Sequence, residues 1–197
     1  FSTLYVNNDS VGFGNKVVLT RTGETDLTAY GTKTYRSQMI AKSLVGSYDY
    51  ATHTAKWQIV VNRNKLPLTN AVVTDTLPTG MVLLIDTDHP FTVLKSGETN
   101  PLATVPTTGV SGDTSFVYNF PSAIDNQYTI TFYTQLTDET LKQQWSGTKN
   151  FTNNASIDGD EIGTAINATA TAQIKNPVVT KTYQYQTGSD HIDWSAV

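Results

Sequence analysis

The sequence predicts an all-β protein, an immunoglobulin-like antiparallel β-sandwich carried in a tandem repeat of about 139 residues. Three observations predict it. The chain is rich in Thr, Ser, Asn, Tyr and Val and only 15% charged, a mixture that suits pleated faces and Asx or Gly turns better than helices. Short runs of alternating apolar and polar residues recur at regular spacing, separated by turn signals. Finally, a segment opening on Lys42 is echoed at the C-terminus by one opening on Lys181.

The elements follow in order. Ser2–Val6 and Asn15–Thr20 read as short strands around two turns, Asn7-Asn-Asp-Ser and Gly12-Phe-Gly. Gly23-Glu-Thr-Asp is a further turn and Thr28–Met39 a strand. Lys42–Tyr48 opens the central segment, and Trp57–Asn62 follows with Trp57, Ile59 and Val61 on one face. In Leu68–Thr76, the residues Ala71, Val73 and Asp75 share a face. Leu77-Pro-Thr-Gly looks superficially like a sortase signal, but it leads into another strand, Met81–Ile85, and reads as a turn. Phe91–Leu94, Ser115–Phe120 and Gln127–Leu136 continue the pattern, and Asp138–Trp145 is a short helix candidate with an acidic start and a Gly147 stop. Asn150–Ile157 and Ala165–Ile174 complete the set.

The repeat is visible at both ends of the unit. Phe13-Gly-Asn-Lys-Val-Val-Leu resembles Phe151-Thr-Asn-Asn-Ala-Ser-Ile, and the interval from Asn15 to Lys42 matches that from Asn153 to Lys181 to one residue. This divides the chain into the last strands of a preceding repeat (1–41), one complete domain (42–177) and the first strands of a following repeat (178–197).

Composition also excludes. A net charge of −4 with dispersed basic residues argues against a nucleic-acid partner, and no apolar run is long enough for a membrane-spanning helix. Cysteine is absent, so disulfides, zinc–thiolate sites and Cys nucleophiles go together. His53, His89 and His191 show no metal-ligand spacing, and Asp86-Thr-Asp-His and Asp158-Gly-Asp-Glu lack EF-hand spacing and read as turns. No nucleophile elbow or phosphate loop is present, and neither cofactor nor metal is expected. The four N-x-Ser/Thr sequons, at Asn8, Asn150, Asn154 and Asn167, arise easily in so Asn- and Thr-rich a chain.

The chemistry-bearing candidates are Lys42, Asp75 and Asn153. Strand parity turns Asp75 inward with Val73, and Asn153 inward with Ala155 and Ile157. Two readings stand on the residues alone. One is a Lys–Asp salt bridge or a solvated strand end, the ordinary fate of charged residues. The other is a reactive cluster: burial drives Lys and Asp toward neutrality, a neutral amine is a nucleophile, and a protonated Asp can polarise the Asn amide. Attack would then expel ammonia and leave a Lys–Asn amide.

The order Lys42, Trp57-Gln-Ile-Val-Val-Asn62, Asn70-Ala-Val-Val-Thr-Asp-Thr-Leu-Pro78, then Phe151, Asn153, Ala155, Ile157, Gly159 and Asp160 carries a resemblance. It is similar to repeat domains of Gram-positive cell-wall adhesins, in particular collagen-adhesin (Cna-like) and related isopeptide-forming fimbrial domains. The resemblance implies an autocatalytic isopeptide bond between Lys42 and Asn153 with Asp75 as catalyst, and no other enzymatic activity. Asn15 and Lys181 would be the equivalents in the partial repeats. The implied role is an extracellular, cell-wall-anchored structural and adhesive repeat. Alternatives are a ligand-binding module for a collagen-like matrix protein or a glycan, or an accessory domain of a secreted carbohydrate-active enzyme. The sheet edges left open in 1–41 and 178–197 suggest head-to-tail self-association.

Overall fold

In the computed structural model, residues 5–20, 22–139, 142, 147–176, 181–184 and 193–196 are described. Thirteen antiparallel strands are seen among them, and most of them form two packed sheets. The first sheet contains β3 (Ile40–Leu44), β4 (Thr54–Val61), β9 (Tyr128–Leu136) and β6 (Met81–Leu84) in that order. β7 (Thr92–Lys95) pairs with the first half of β9 and β6 with the second half. The second sheet runs β11 (Ile166–Asn176), β10 (Gly147–Asp158), β5 (Val72–Thr76) and β8 (Ser115–Asn119). The result is the all-β sandwich that the alternation predicts.

Alternation is what builds the core. On β4 the inward Trp57, Ile59 and Val61 have no exposure; β9 sets Phe132 opposite Trp57 and Ile130 opposite Ile59, and the next inward residue, Thr134, is equally buried opposite Ala55. The other sheet supplies Ala71, Val73, Phe151, Ala155 and Ile157. Burying a side chain of Ile, Val or Phe size contributes about 1.5–3 kcal/mol, so this double layer is the main source of stability. Trp57 brings one polar atom into the core, and its Nε1 donates to Thr134 Oγ1 at 2.9 Å. Phe132 stacks edge-on against Phe116, with ring centroids 4.8 Å apart.

The N-terminal segment departs from expectation. Both predicted turns, Asn7–Ser10 and Gly12-Phe-Gly, lie within one continuous strand, β1 (Asn7–Leu19), and Tyr5 and Val6 form a bend ahead of it. β1 pairs along its length with β2 (Leu27–Gln38). Gly12 and Gly14 oppose Thr34 and Thr32 in this ladder, so cross-strand pairing overrides the local turn preference. The disruption at Asn7–Ser10 shrinks to a register shift. The predicted turn at Gly23 is present, with φ of 80°.

The base of this hairpin is tied to the sandwich. Asn7 Oδ1 accepts from the Met39 and Ile40 amides at 2.8 and 3.0 Å, while its Nδ2 donates to the Ile40 carbonyl at 2.8 Å. Tyr5 donates to the Pro67 carbonyl, and Asn64 to Ser37 Oγ. Asn62, predicted as the end of a strand, instead turns at φ 52° and is fully buried, its side chain holding both the amide and the carbonyl of Leu66. Of the helix candidate, Glu139 and Lys142 are helical, and most of its other residues lie outside those described. At the C-terminus, β12 (Lys181–Gln184) and β13 (Asp193–Ala196) form a second two-stranded sheet, and His191 lies outside the described residues.

Candidate functional site

The site forms where the two sheets face each other. Lys42 comes from β3, the edge of the five-stranded sheet, paired with Ile59 of β4. Asp75 comes from β5 in the opposite sheet, where it pairs with Ala155 of β10 on one side and Phe116 of β8 on the other. Asn153 lies two residues before Ala155, on the same inward face of β10, diagonal to Asp75. The period of the strands thus aims all three side chains into the interlayer space.

None of the three side chains reaches solvent. Lys42 Nζ makes a short ion pair with Asp75 Oδ2. Burial pushes the Lys42 amine down to about 8, against the opposing pull of Asp75. Burial likewise pushes the Asp75 carboxyl up to about 6, opposed by Lys42 and more weakly by the Asn153 amide. Both shifts run toward the neutral pair, because desolvation of two charges outweighs their attraction here.

Asn153 faces Asp75 closely enough to favour its ionised form. Yet neither Asn153 Oδ1 nor Nδ2 reaches a partner with hydrogen-bond geometry, and Asp75 Oδ1 is also unpaired. Three unsatisfied polar atoms in one buried cluster are costly, at about 1–3 kcal/mol for each group. Such a cluster in a folded protein calls for an explanation.

Two aromatic rings enclose the amine. Lys42 Nζ lies 5.0 Å from the Phe132 ring centroid and 5.7 Å from that of Trp57. They exclude water, which is why desolvation dominates. Strand alternation put Trp57 on one face with Ile59 and Val61 but gave Phe132 no part in the site. The signal was present in the Tyr128–Thr134 alternation, but only the register Trp57↔Phe132 shows that the two rings are neighbours.

The remaining candidates separate from this cluster. Asn15 stands exposed on β1 opposite Gly31, and Lys181 begins β12 opposite Ala196. The Asp158–Glu161 segment serves a turn: Asn70 donates to Asp160 and the Thr69 amide to Glu161 at 2.7 Å. Asp86 accepts from the Asp88 and His89 amides. Among the described residues no group of His, Asp and Glu could hold a metal ion. No helix among them is long and apolar enough to cross a membrane.

Comparison with known proteins agrees with the family resemblance. Residues 37–168 match the family described as "Collagen binding domain". No curated protein sequence matches. Among solved structures, the chain is similar to the collagen-binding domain from a Staphylococcus aureus adhesin, with 19% identity, 69% of this chain and 99% of that one covered, and a TM-score of 0.48. It is also similar to the collagen-binding subdomain of the Enterococcus faecalis surface protein ACE, with 19% identity, 70% and 94% coverage, and a TM-score of 0.39. A third likeness is to BcpA, the major pilin subunit of Bacillus cereus, at 12% identity, 89% and 52% coverage, and a TM-score of 0.46. The family match spans well over half of the chain, and the chain belongs to the collagen-binding domain family.

Proposed function

We propose that this chain is an extracellular structural and adhesive repeat of a cell-wall-anchored surface protein, hardened by an autocatalytic bond between Lys42 and Asn153. The observation that carries the reading is the buried, partly unsatisfied cluster of Lys42, Asp75 and Asn153, with both ionisable groups shifted toward neutrality. With the proton on Asp75, the neutral Lys42 amine attacks Asn153 Cγ while the Asp75 carboxyl donates to Asn153 Oδ1. Asp75 then relays a proton from the attacking nitrogen to the amide nitrogen. The C–N bond to that nitrogen breaks and ammonia leaves. An Nζ–Cγ amide remains and Asp75 keeps its proton. Fixed strands supply the proximity, and the aromatic walls keep the site dry.

The bond would staple the first strand of one sheet to the penultimate strand of the other. Tension on such a module would stop at the staple before the core opened, which suits a projecting adhesin under shear. Intact-mass measurement tests the chemistry: the folded protein should be lighter than its sequence by one ammonia, and Asp75→Ala should carry the full mass. A wild-type mass equal to the sequence value would reject the bond.

Two pairings support a tandem arrangement with boundaries near 42 and 177. Lys42 and Leu44 of β3 pair with Ile59 and Trp57, and Lys181 and Tyr183 of β12 pair with Ala196 and Trp194 in the same register. A second reading, ligand binding, is favoured by the family description: the partner would be a collagen-like matrix protein. Retention of the chain on immobilised triple-helical collagen, and not on heat-denatured collagen, would support it. Equal retention on neither would leave the structural role alone.

A further inference from the structure

The β1–β2 hairpin carries an apolar face that nothing covers among the described residues. Phe13, Val17, Leu19 and Leu27 are 51%, 60%, 57% and 54% exposed, and all four lie on one side of the ladder. A two-stranded hairpin is marginal in water, and an uncovered apolar face makes it more so.

The same face exists elsewhere in the chain, covered. The cross-strand pairs on this side of β1–β2 are Phe13↔Lys33, Asn15↔Gly31, Val17↔Ala29 and Leu19↔Leu27. Those on the inward side of β10–β11 are Phe151↔Ala172, Asn153↔Ala170, Ala155↔Ala168 and Ile157↔Ile166. Position by position, an aromatic, an Asn, a small or β-branched residue and a large aliphatic recur in the same order and register. Lys33 is the one departure, at the end of the face nearest the sandwich. On β10–β11 this surface is buried against the facing sheet of β3, β4, β9, β6 and β7, with Phe151, Asn153, Ala155 and Ile157 almost without exposure.

We infer that the β1–β2 face is the docking surface for a second β-sandwich, located ahead of it on the same polypeptide, whose sheet of the β3-β4-β9-β6 type the hairpin covers as β10–β11 covers its own. This rests on the tandem reading above. Asn15 then stands where Asn153 stands, facing the strand that supplies a lysine. A free second copy of this chain does not fit the face, because its own β10–β11 already fills that position. The hairpin is also tied to the following sandwich, since Asn7, Ser37 and Tyr5 hydrogen-bond across the joint. Successive units would therefore be linked by a shared hairpin, without a flexible tether.

The test uses the full chain with a second copy of residues 39–138 joined ahead of Phe1. Hydrogen exchange of the amides in 13–34 should slow at least ~100-fold relative to the 197-residue chain, as core strands do relative to frayed ones. Val17→Asp with Leu19→Asp should remove that protection and leave the exchange of residues 54–61 unchanged. Loss of a further ammonia reports the bond to Asn15; its absence alongside full protection would count against the cross-linking reading and not against docking. Should the added copy fail to fold, replacing 145–176 of the full chain by a second copy of 7–38 asks the same question. Cooperative unfolding of that graft supports the fit. Unchanged exchange in the extended chain with a folded added copy, a graft that does not fold, or a dimer of the parent chain abolished by Val17→Asp would each overturn the inference.

Discussion

Asn153→Ala removes the electrophile and with it the bond, and leaves Lys42 and Asp75 as an unreacted pair. The bond from Lys42 to Asn153 would close a loop of about 110 residues, for which the chain-entropy treatment of cross-links gives about 4.7 kcal/mol at 25 °C. The side chain removed is small and its neighbours Phe151 and Ala155 stay packed, so the cavity left is minor. For a domain of this size each kcal/mol moves the melting temperature by about 2–4 °C, so the variant should melt roughly 10–20 °C below wild type. Thermal unfolding followed by circular dichroism, with intact mass on the same samples, makes the measurement. The variant should weigh its sequence value and wild type should be lighter than its own by one ammonia. A variant melting within a few degrees of a cross-linked wild type would refute the argument that the tie acts by constraining the unfolded chain.

Three further outcomes are expected. In Asn153→Ala the ionisable pair survives and should leave a pH signature. Asp75, raised to about 6, contributes stability that is complete below its unfolded value and lost as pH rises through about 6; Lys42, lowered to about 8, contributes stability that is complete above its unfolded value and lost as pH falls through about 8. Relative to Asn153→Ala combined with Lys42→Met and Asp75→Leu, denaturant titrations should therefore find a minimum between pH 6 and 8. Thr134→Val keeps the shape of the core but strands Trp57 Nε1, so it should cost about 1–3 kcal/mol in urea unfolding. Gly109 sits at φ 120°, and a Cβ there would lie 2.8 Å from Phe116 Cβ, so Gly109→Ala should cost at least about 1–3 kcal/mol in the same assay.

The aromatic wall is what would set a reactive site apart from one that is merely buried. A Lys–Asp pair in a polar cleft would stay charged and form an ordinary salt bridge. Here Trp57 and Phe132 flank the amine, and the carboxylate has one oxygen with no partner at all. Desolvation of both ions works against their mutual attraction, which moves the Lys42 amine and the Asp75 carboxyl toward each other and narrows the gap between the charged and the neutral pair.

Much of this was written in the order of residues, because strand parity is local. Once Trp57–Val61, Val73–Asp75 and Asn153–Ile157 are read as strands, the period of two decides which side chains turn inward, and the structure places Asp75, Asn153 and the Trp57 face as that period requires. Non-local pairing decided the rest. That Gly12 and Gly14 run straight through a predicted turn depends on Thr34 and Thr32 lying opposite them. That Phe132 walls the Lys42 amine depends on β9 aligning with β4, and that Lys42 meets Asp75 depends on two sheets closing with these positions at the same height. Such meetings are fixed by long-range register and layer packing, to which a residue's immediate neighbours in sequence are blind.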